Sequence, residues 1–295
     1  MAGVWAASRV RRAAVAVAVG AGLLAAAFVG GGGTTASGQS PRAATVRSEH
    51  VTLRVHDRGE DWTVSLNIFV FDPGDGSYKQ RAAGARKDVI GRFKGAFELE
   101  ESADPYVLSG YRWQNATTSW GYNAAGKPAS LVGDHPAVQG AAAVWNDARS
   151  NFSFTGGGTT SAGTGACTNN AGRDALNTVG WKAQSGSILA VTCTWYTSAG
   201  FAVEFDVEID PGWSWTTGPS VSIDLKTVMA HEFGHALGIG HSSGPCPGVL
   251  MCPSYYSGTT QYTLHADDLS ALFALYGSAL PLRARVPQVA NDGSN

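Results

Sequence analysis

Three of the seven histidines fall within eleven residues, in the run His231-Glu232-Phe233-Gly234-His235-Ala236-Leu237-Gly238-Ile239-Gly240-His241. On a helix, His231 and His235 stand one turn apart and project from the same face, so two imidazoles can meet one ion. Glu232 is too close to the first of them to ligate easily, but it can reach a water on that ion. Gly238 follows His235 by three residues, where a positive φ would end the helix and reverse the chain. That turn can bring His241 back as a third ligand. Three neutral imidazoles around zinc leave its fourth tetrahedral position open, as a catalytic site requires. The competing reading, a helix with surface histidines, needs neither the glycine nor the third histidine at these offsets.

The elements that must hold these residues can be read on both sides. The spacing predicts a helix from about Asp224 to Leu237, then a loop to about Tyr262. A final helix follows, with Leu269, Leu272, Phe273 and Tyr276 on one face and Gly277 as its stop. Upstream, Asp134 and Pro136 start a helix that Val138, Ala141, Trp145 and Ala148 continue. A glycine-rich loop (Gly156 to Gly165) leads to strands at Ile188–Trp195 and Ala202–Ile209. Residues of about 45–103 alternate as strands do, with Val51, Leu53 and Val55, then Trp62, Val64, Leu66, Ile68 and Val70. This predicts a small β-rich module or pro-segment. Asp72-Pro73-Gly74-Asp75-Gly76 reads as a solvated turn, because the other ligands of a calcium-binding EF-hand loop are missing. His50 and His56 read as solvated strand positions, His135 as a helix-start residue and His265 as a helix cap. Asp267 and Asp268 read as structural.

The chain has 295 residues, 44% apolar and 15% charged, with a net charge of −2. Such a balance excludes wholesale disorder and gives no electrostatic reason to expect nucleic acid as a partner. Arg9, Arg11 and Arg12 precede an uncharged run of 17 residues, Ala13 to Val29, and then small residues to Ala36. Residues 1–36 therefore read as a secretory signal peptide, the run being short and weakly apolar for a stable membrane anchor. All four cysteines (Cys167, Cys193, Cys246, Cys252) lie beyond it, an even number suited to an oxidising compartment. Three pairings are open, of which Cys167–Cys193 with Cys246–Cys252 joins nearest neighbours. Residues 278–295 read as a mobile tail.

Over roughly residues 106–277 the sequence resembles the metzincin clan of zinc endopeptidases, and within it the matrixins. Met251, ten residues after His241, matches the methionine of their Met-turn, and Ser242 follows the third histidine as it does there. Leu250-Met251-Cys252-Pro253-Ser254-Tyr255 looks like the Met-turn and the Pro-x-Tyr segment that walls the S1′ pocket. Leu264-His265-Ala266-Asp267-Asp268-Leu269, ending at Leu275-Tyr276-Gly277, is similar to the last helix, and Ile188-Leu189-Ala190 to the edge strand on which a substrate lies extended. Pro253 stands where astacins and serralysins place a tyrosine. The resemblance implies an α+β catalytic domain: a twisted mixed sheet with three helices and a Met-turn, preceded here by the β-rich module. It also implies one catalytic zinc on His231, His235 and His241, with Glu232 as general base and Met251 beneath the metal. Leu189 and Ala190 would pair with the substrate, and Pro253 and Tyr255 would wall its pocket. The implied protein is a secreted metalloendopeptidase acting on peptides or proteins.

Departures from the family bear on the same site. Val191 stands where animal matrixins carry a histidine for a structural zinc, and Glu204-Phe205-Asp206 where theirs reads His-Phe-Asp. One zinc is therefore expected. Calcium could bind Asp206, Glu208 or Asp210, although alternating acids on a strand read first as a solvated face. No cysteine precedes Cys167, so the family's cysteine switch is absent and any latency must work differently; an inhibitory role for residues 45–103 is compatible with this. The alternative function is a secreted, metal-stabilised binding protein without proteolytic activity, its zinc closed by Cys246 as a fourth ligand.

Overall fold

Period-two alternation at the start of the module builds a long hairpin. In the computed structural model, β1 (Thr45–Asp57) and β2 (Glu60–Asp72) pair antiparallel along their whole length. The structure describes residues 45–279 apart from 58, 94–96, 100–105, 169–172, 221, 243–245 and 247. The expected signal peptide and most of the expected tail lie outside these residues. No helix among the described residues is long and apolar enough to cross a membrane.

The module also contains a helix that the strand reading lacks. In α1 (Tyr78–Ile90), Ala82, Ala85 and Val89 are buried, and the latter two pack on the hairpin. Two alanines and one valine make a stripe too narrow and small to stand out in so polar a sequence. A short β3 (Phe97–Leu99) pairs with β1.

The rest of the chain runs β4 (Tyr106–Leu108), β5 (Thr117–Asn123), α2 (Asp134–Asn146), β6 (Ser153–Thr159), β7 (Thr178–Trp181), β8 (Ile188–Tyr196) and β9 (Ala202–Ile209). Then follow β10 (Trp215–Thr216), β11 (Ile223–Asp224), α3 (Leu225–Ala236), β12 (Ile239–Ser242), β13 (Ser254–Tyr256) and α4 (Ala266–Tyr276). Helices α2, α3 and α4 are the three that the resemblance implies for the catalytic domain, and the architecture is α+β around one twisted mixed sheet.

That sheet is ordered β13-β1-β2-β8-β9-β7-β5-β6, with β3 on β1. The expectation of an open edge at Ile188–Ala190 is corrected here. β8 is an inner strand: Thr63–Val70 of β2 pair antiparallel with Tyr196–Ile188, and β9 pairs on the other side. Nearly all of β8 is buried, including Leu189 and Ala190. A strand apolar on both faces belongs inside a sheet with both faces covered, so the cue lay in the missing alternation of Ile-Leu-Ala-Val.

The two faces carry two cores. One joins α2, α3 and the Met251 region to the inner face of the sheet. The other joins Val64, Leu66, Ile68 and Val70 of β2 to α1, Val191, Cys193 and Trp195. Burying each of these four side chains contributes roughly 1.5–3 kcal/mol. Together that rivals the net stability of a domain, about 5–15 kcal/mol, so the hairpin is built into the sheet and is no loosely attached module. Cys167 is joined to Cys193 beneath this second core, and Cys246 to Cys252 beside the Met-turn.

Candidate metal centre

Helix α3 starts where Asp224 accepts hydrogen bonds from the backbone N–H and the hydroxyl of Thr227, at 2.8 and 2.6 Å, an N-cap of the usual carboxylate type. Its last carbonyls, orphaned in any helix, are taken by three aromatic donors. Tyr111 Oη bonds His235 O, Trp113 Nε1 bonds Ala236 O and Tyr276 Oη bonds Leu237 O, at 2.6 to 2.8 Å. The C-terminal turn that carries His235 is thereby fixed from outside the motif. Gly238 has φ +95°, and a Cβ there would stand 2.2 Å from the Tyr111 carbonyl oxygen, so only glycine can make this reversal. The chain returns as β12 and presents His241.

The three imidazoles converge. Their candidate ligand nitrogens all lie within 4.8 Å of one another. His231 Nδ1 lies 2.8 Å from Leu250 O and His235 Nδ1 lies 2.9 Å from Ile239 O. A carbonyl only accepts, so each Nδ1 carries the proton and each Nε2 turns a lone pair inward. The Nε2 atoms of His235 and His241 are 3.1 Å apart, and His231 Nε2 is buried without a partner. Facing lone pairs at such a distance are tolerable only with a cation or proton between them. Burial pushes the His231 imidazole down to about 4, and holds His235 and His241 well below the usual histidine range. Neutral imidazoles are the ligating form, so this donor set fits zinc.

Glu232 is buried beside them. Its Oε2 accepts from the Thr192 hydroxyl, and its Oε1 has no partner. Burial raises the carboxyl to about 8, with the Thr192 hydrogen bond pulling it down; a nearby divalent cation would favour the carboxylate further. Cys246, the candidate for a fourth protein ligand, is tied to Cys252, so the reading of a site closed by its thiolate is corrected.

Met251 is fully buried against α3. A Cβ on Gly234 would stand 2.3 Å from its Sδ and 2.7 Å from Trp145 Cζ2. The Met-turn is held by Asp268, which accepts the N–H groups of Leu250 and Met251 at 3.0 Å and that of His265 at 2.8 Å. Beside His231 opens an apolar cavity of about 230 Å³, whose walls include Phe69, Val228, Leu250 and Tyr255. Pro253 is outside its lining; its carbonyl accepts the Ser48 N–H at 2.9 Å. Tyr255 donates to Thr259 O at 2.7 Å and accepts the Asp224 N–H at 3.2 Å, tying the cavity wall to the start of α3.

Other expectations need correction. The acids of β9 are not a solvated face: Glu204, Asp206 and Glu208 are at most 1% exposed. Asp206 accepts the N–H groups of Ala166 and Thr178, Glu204 those of Asp174 and Ala175, and Glu208 meets Arg92, Lys182, Gln184 and Thr164. His50 is not a solvated position either; its Nε2 lies 2.9 Å from Ser65 Oγ in a half-buried contact. Sequence reasoning missed Thr192, Phe69, Gly234 and the three aromatic caps. Gly234 alone carried a local signal, as a glycine inside a helix.

The family model described as Matrixin matches residues 113–277. Human neutrophil collagenase is 42% identical over 84 residues, 28% of this chain and 17% of the relative. Human matrilysin is 40% identical over 73 residues, 24% of this chain and 27% of the relative. Human matrix metalloproteinase-20 is 44% identical over 73 residues, 24% of this chain and 14% of the relative. The chain thus spans less than a third of the length of these relatives. The matched region holds the whole imidazole cluster, Glu232 and Met251, and with more than half of the sequence inside the family model, this chain belongs to the matrixin family.

Proposed function

We propose that the chain is a secreted zinc-dependent endopeptidase. The observation that carries this reading is the convergence of three imidazoles, two of them fixed in orientation by backbone carbonyls, next to a buried carboxyl group with one free oxygen. His231, His235 and His241 would hold one zinc, which supplies Lewis acidity to polarise a peptide carbonyl and acidify a water. Glu232 Oε1 accepts the proton of the attacking water and returns it to the leaving amine, while Thr192 holds the other oxygen. Met251 supports α3 at Gly234, between the two helical histidines. The cavity beside His231 takes an apolar side chain of the substrate, with Tyr255 in its wall. Leu189 and Ala190 would pair with an extended peptide only where β2 gives up the edge of β8, and Pro253 would stand outside the cavity in the segment that carries Tyr255. Family membership implies zinc and, more generally, calcium; the latter is assigned no residue here. Residues 1–36 would direct export, 45–103 form the N-terminal module, 106–277 the protease domain and 278–295 a tail.

Digestion of casein or a quenched peptide, with and without chelator and then with zinc restored, tests the reading. Activity should vanish with chelation and return with zinc. Cleavage indifferent to the chelator would overturn it.

A further inference from the structure

Resting on that hydrolase reading, we propose that β2 is an internal occupant of the substrate groove, so that the chain holds itself to a low basal activity without a cysteine. The strand lies along Tyr196–Ile188 of β8 in antiparallel register, as an extended peptide would by strand addition. Paired residues of an antiparallel ladder point to the same side of the sheet. Thr192 reaches Glu232, so its partner Asn67 also faces α3. Phe69, two residues on, has its ring 4.5 Å from that of His231 and forms part of the wall of the apolar cavity. His50, opposite Asn67 on β1, continues this row and meets Ser65.

The polar atoms of this seam are the second observation. Asn67 is 1% exposed, and neither atom of its amide has a hydrogen-bond partner. Glu232 Oε1 and His231 Nε2 are in the same condition. A buried amide left without a partner costs free energy. The register puts Asn67 on the α3 side of β2 opposite Thr192, and Phe69 is the residue at the pocket. On the opposite face the four buried apolar residues of β2 anchor the strand, and the Arg92–Glu208 ion pair, at 2.9 Å, ties the chain just after α1 to β9. Such a strand resists displacement by a short peptide, and loss of the Phe69 ring beside His231 loosens the end that lies in the groove.

The test uses the full zinc-loaded chain and two probes: acetohydroxamate, which needs only the metal, and an apolar tripeptide hydroxamate, which needs the groove as well. In the parent, the tripeptide probe should bind less than threefold more tightly than acetohydroxamate, and in Phe69→Ala at least tenfold more tightly, a ratio in which any effect of the variant on the metal itself cancels. Amide hydrogen exchange followed on the unmutated chain keeps the test independent of how well Phe69→Ala folds. If the tripeptide probe binds well there, the amides of Ser65–Phe69 must exchange faster in its presence while those of β9 do not. Tight binding to the parent with β2 protection unchanged would overturn the proposal, as would equal affinities for a folded Phe69→Ala and the parent. If neither probe binds and zinc is not retained, the hydrolase reading falls instead, and the proposal with it.

Discussion

Met251 packs so closely under Gly234 that a Cβ on that glycine would stand 2.3 Å from the methionine sulfur. Gly234 lies between His231 and His235 in sequence, so the floor of the metal centre touches the helix at the one residue that can admit it. Gly234→Ala should therefore overpack the site despite alanine's better helix propensity, costing about 1–3 kcal/mol or more. Thermal unfolding with and without zinc checks this, and zinc affinity should fall together with the melting temperature. A variant as stable as the parent would show that the methionine is not fixed there.

Glu232→Gln keeps the shape of the side chain and one acceptor for Thr192, but cannot take a proton. Zinc content and melting temperature should stay close to those of the parent, while kcat falls by roughly 10²–10⁴, the usual worth of a positioned general base. Paired metal analysis and quenched-peptide kinetics measure both. A zinc-loaded variant that cleaves at the parent rate would remove Glu232 from the mechanism.

The cluster was legible because its ligands are local: the i, i+4 spacing of His231 and His235 and the glycine before His241 write the geometry into eleven residues. Helix α4 was legible for the same reason, as apolar spacing and Gly277 at φ +73° mark its face and its end. The neighbours of β8 were not. Strand pairing between β2 and β8 joins residues more than a hundred positions apart, and neither strand states its partner. The acids of β9 misled in a related way, since the groups that satisfy Asp206 and Glu208 come from distant loops and from Arg92 of the module. Charge in a strand reads as solvated until those donors are placed beside it.

Asp268 is the remote residue on which the Met-turn depends. It accepts the N–H groups of Leu250 and Met251 and that of His265 at the start of α4. Asp268→Ala leaves these buried donors unpaired, at about 1–3 kcal/mol for each group that water cannot reach. The expected result is a marked drop in stability and a weaker zinc site, because the Leu250 carbonyl that orients His231 belongs to the same turn. Denaturant unfolding and competitive chelation measure the two effects. An Asp268→Ala chain with unchanged zinc affinity would separate the turn from the metal centre.

Metal removal supplies a prediction that needs no catalysis. The Nε2 atoms of His235 and His241 stand 3.1 Å apart, and the buried His231 Nε2 has no protein partner, so the cluster is held together by the cation it binds. Zinc bound by the folded chain alone stabilises it by about 2.7 kcal/mol when present at a hundred times its dissociation constant. Chelation should lower the melting temperature by several degrees, and restoring zinc should recover it. His241→Ala keeps the helical pair but loses the returning ligand, so its melting temperature should respond far less to zinc than that of the parent. An equal response would mean that the reversal at Gly238 does not deliver a ligand.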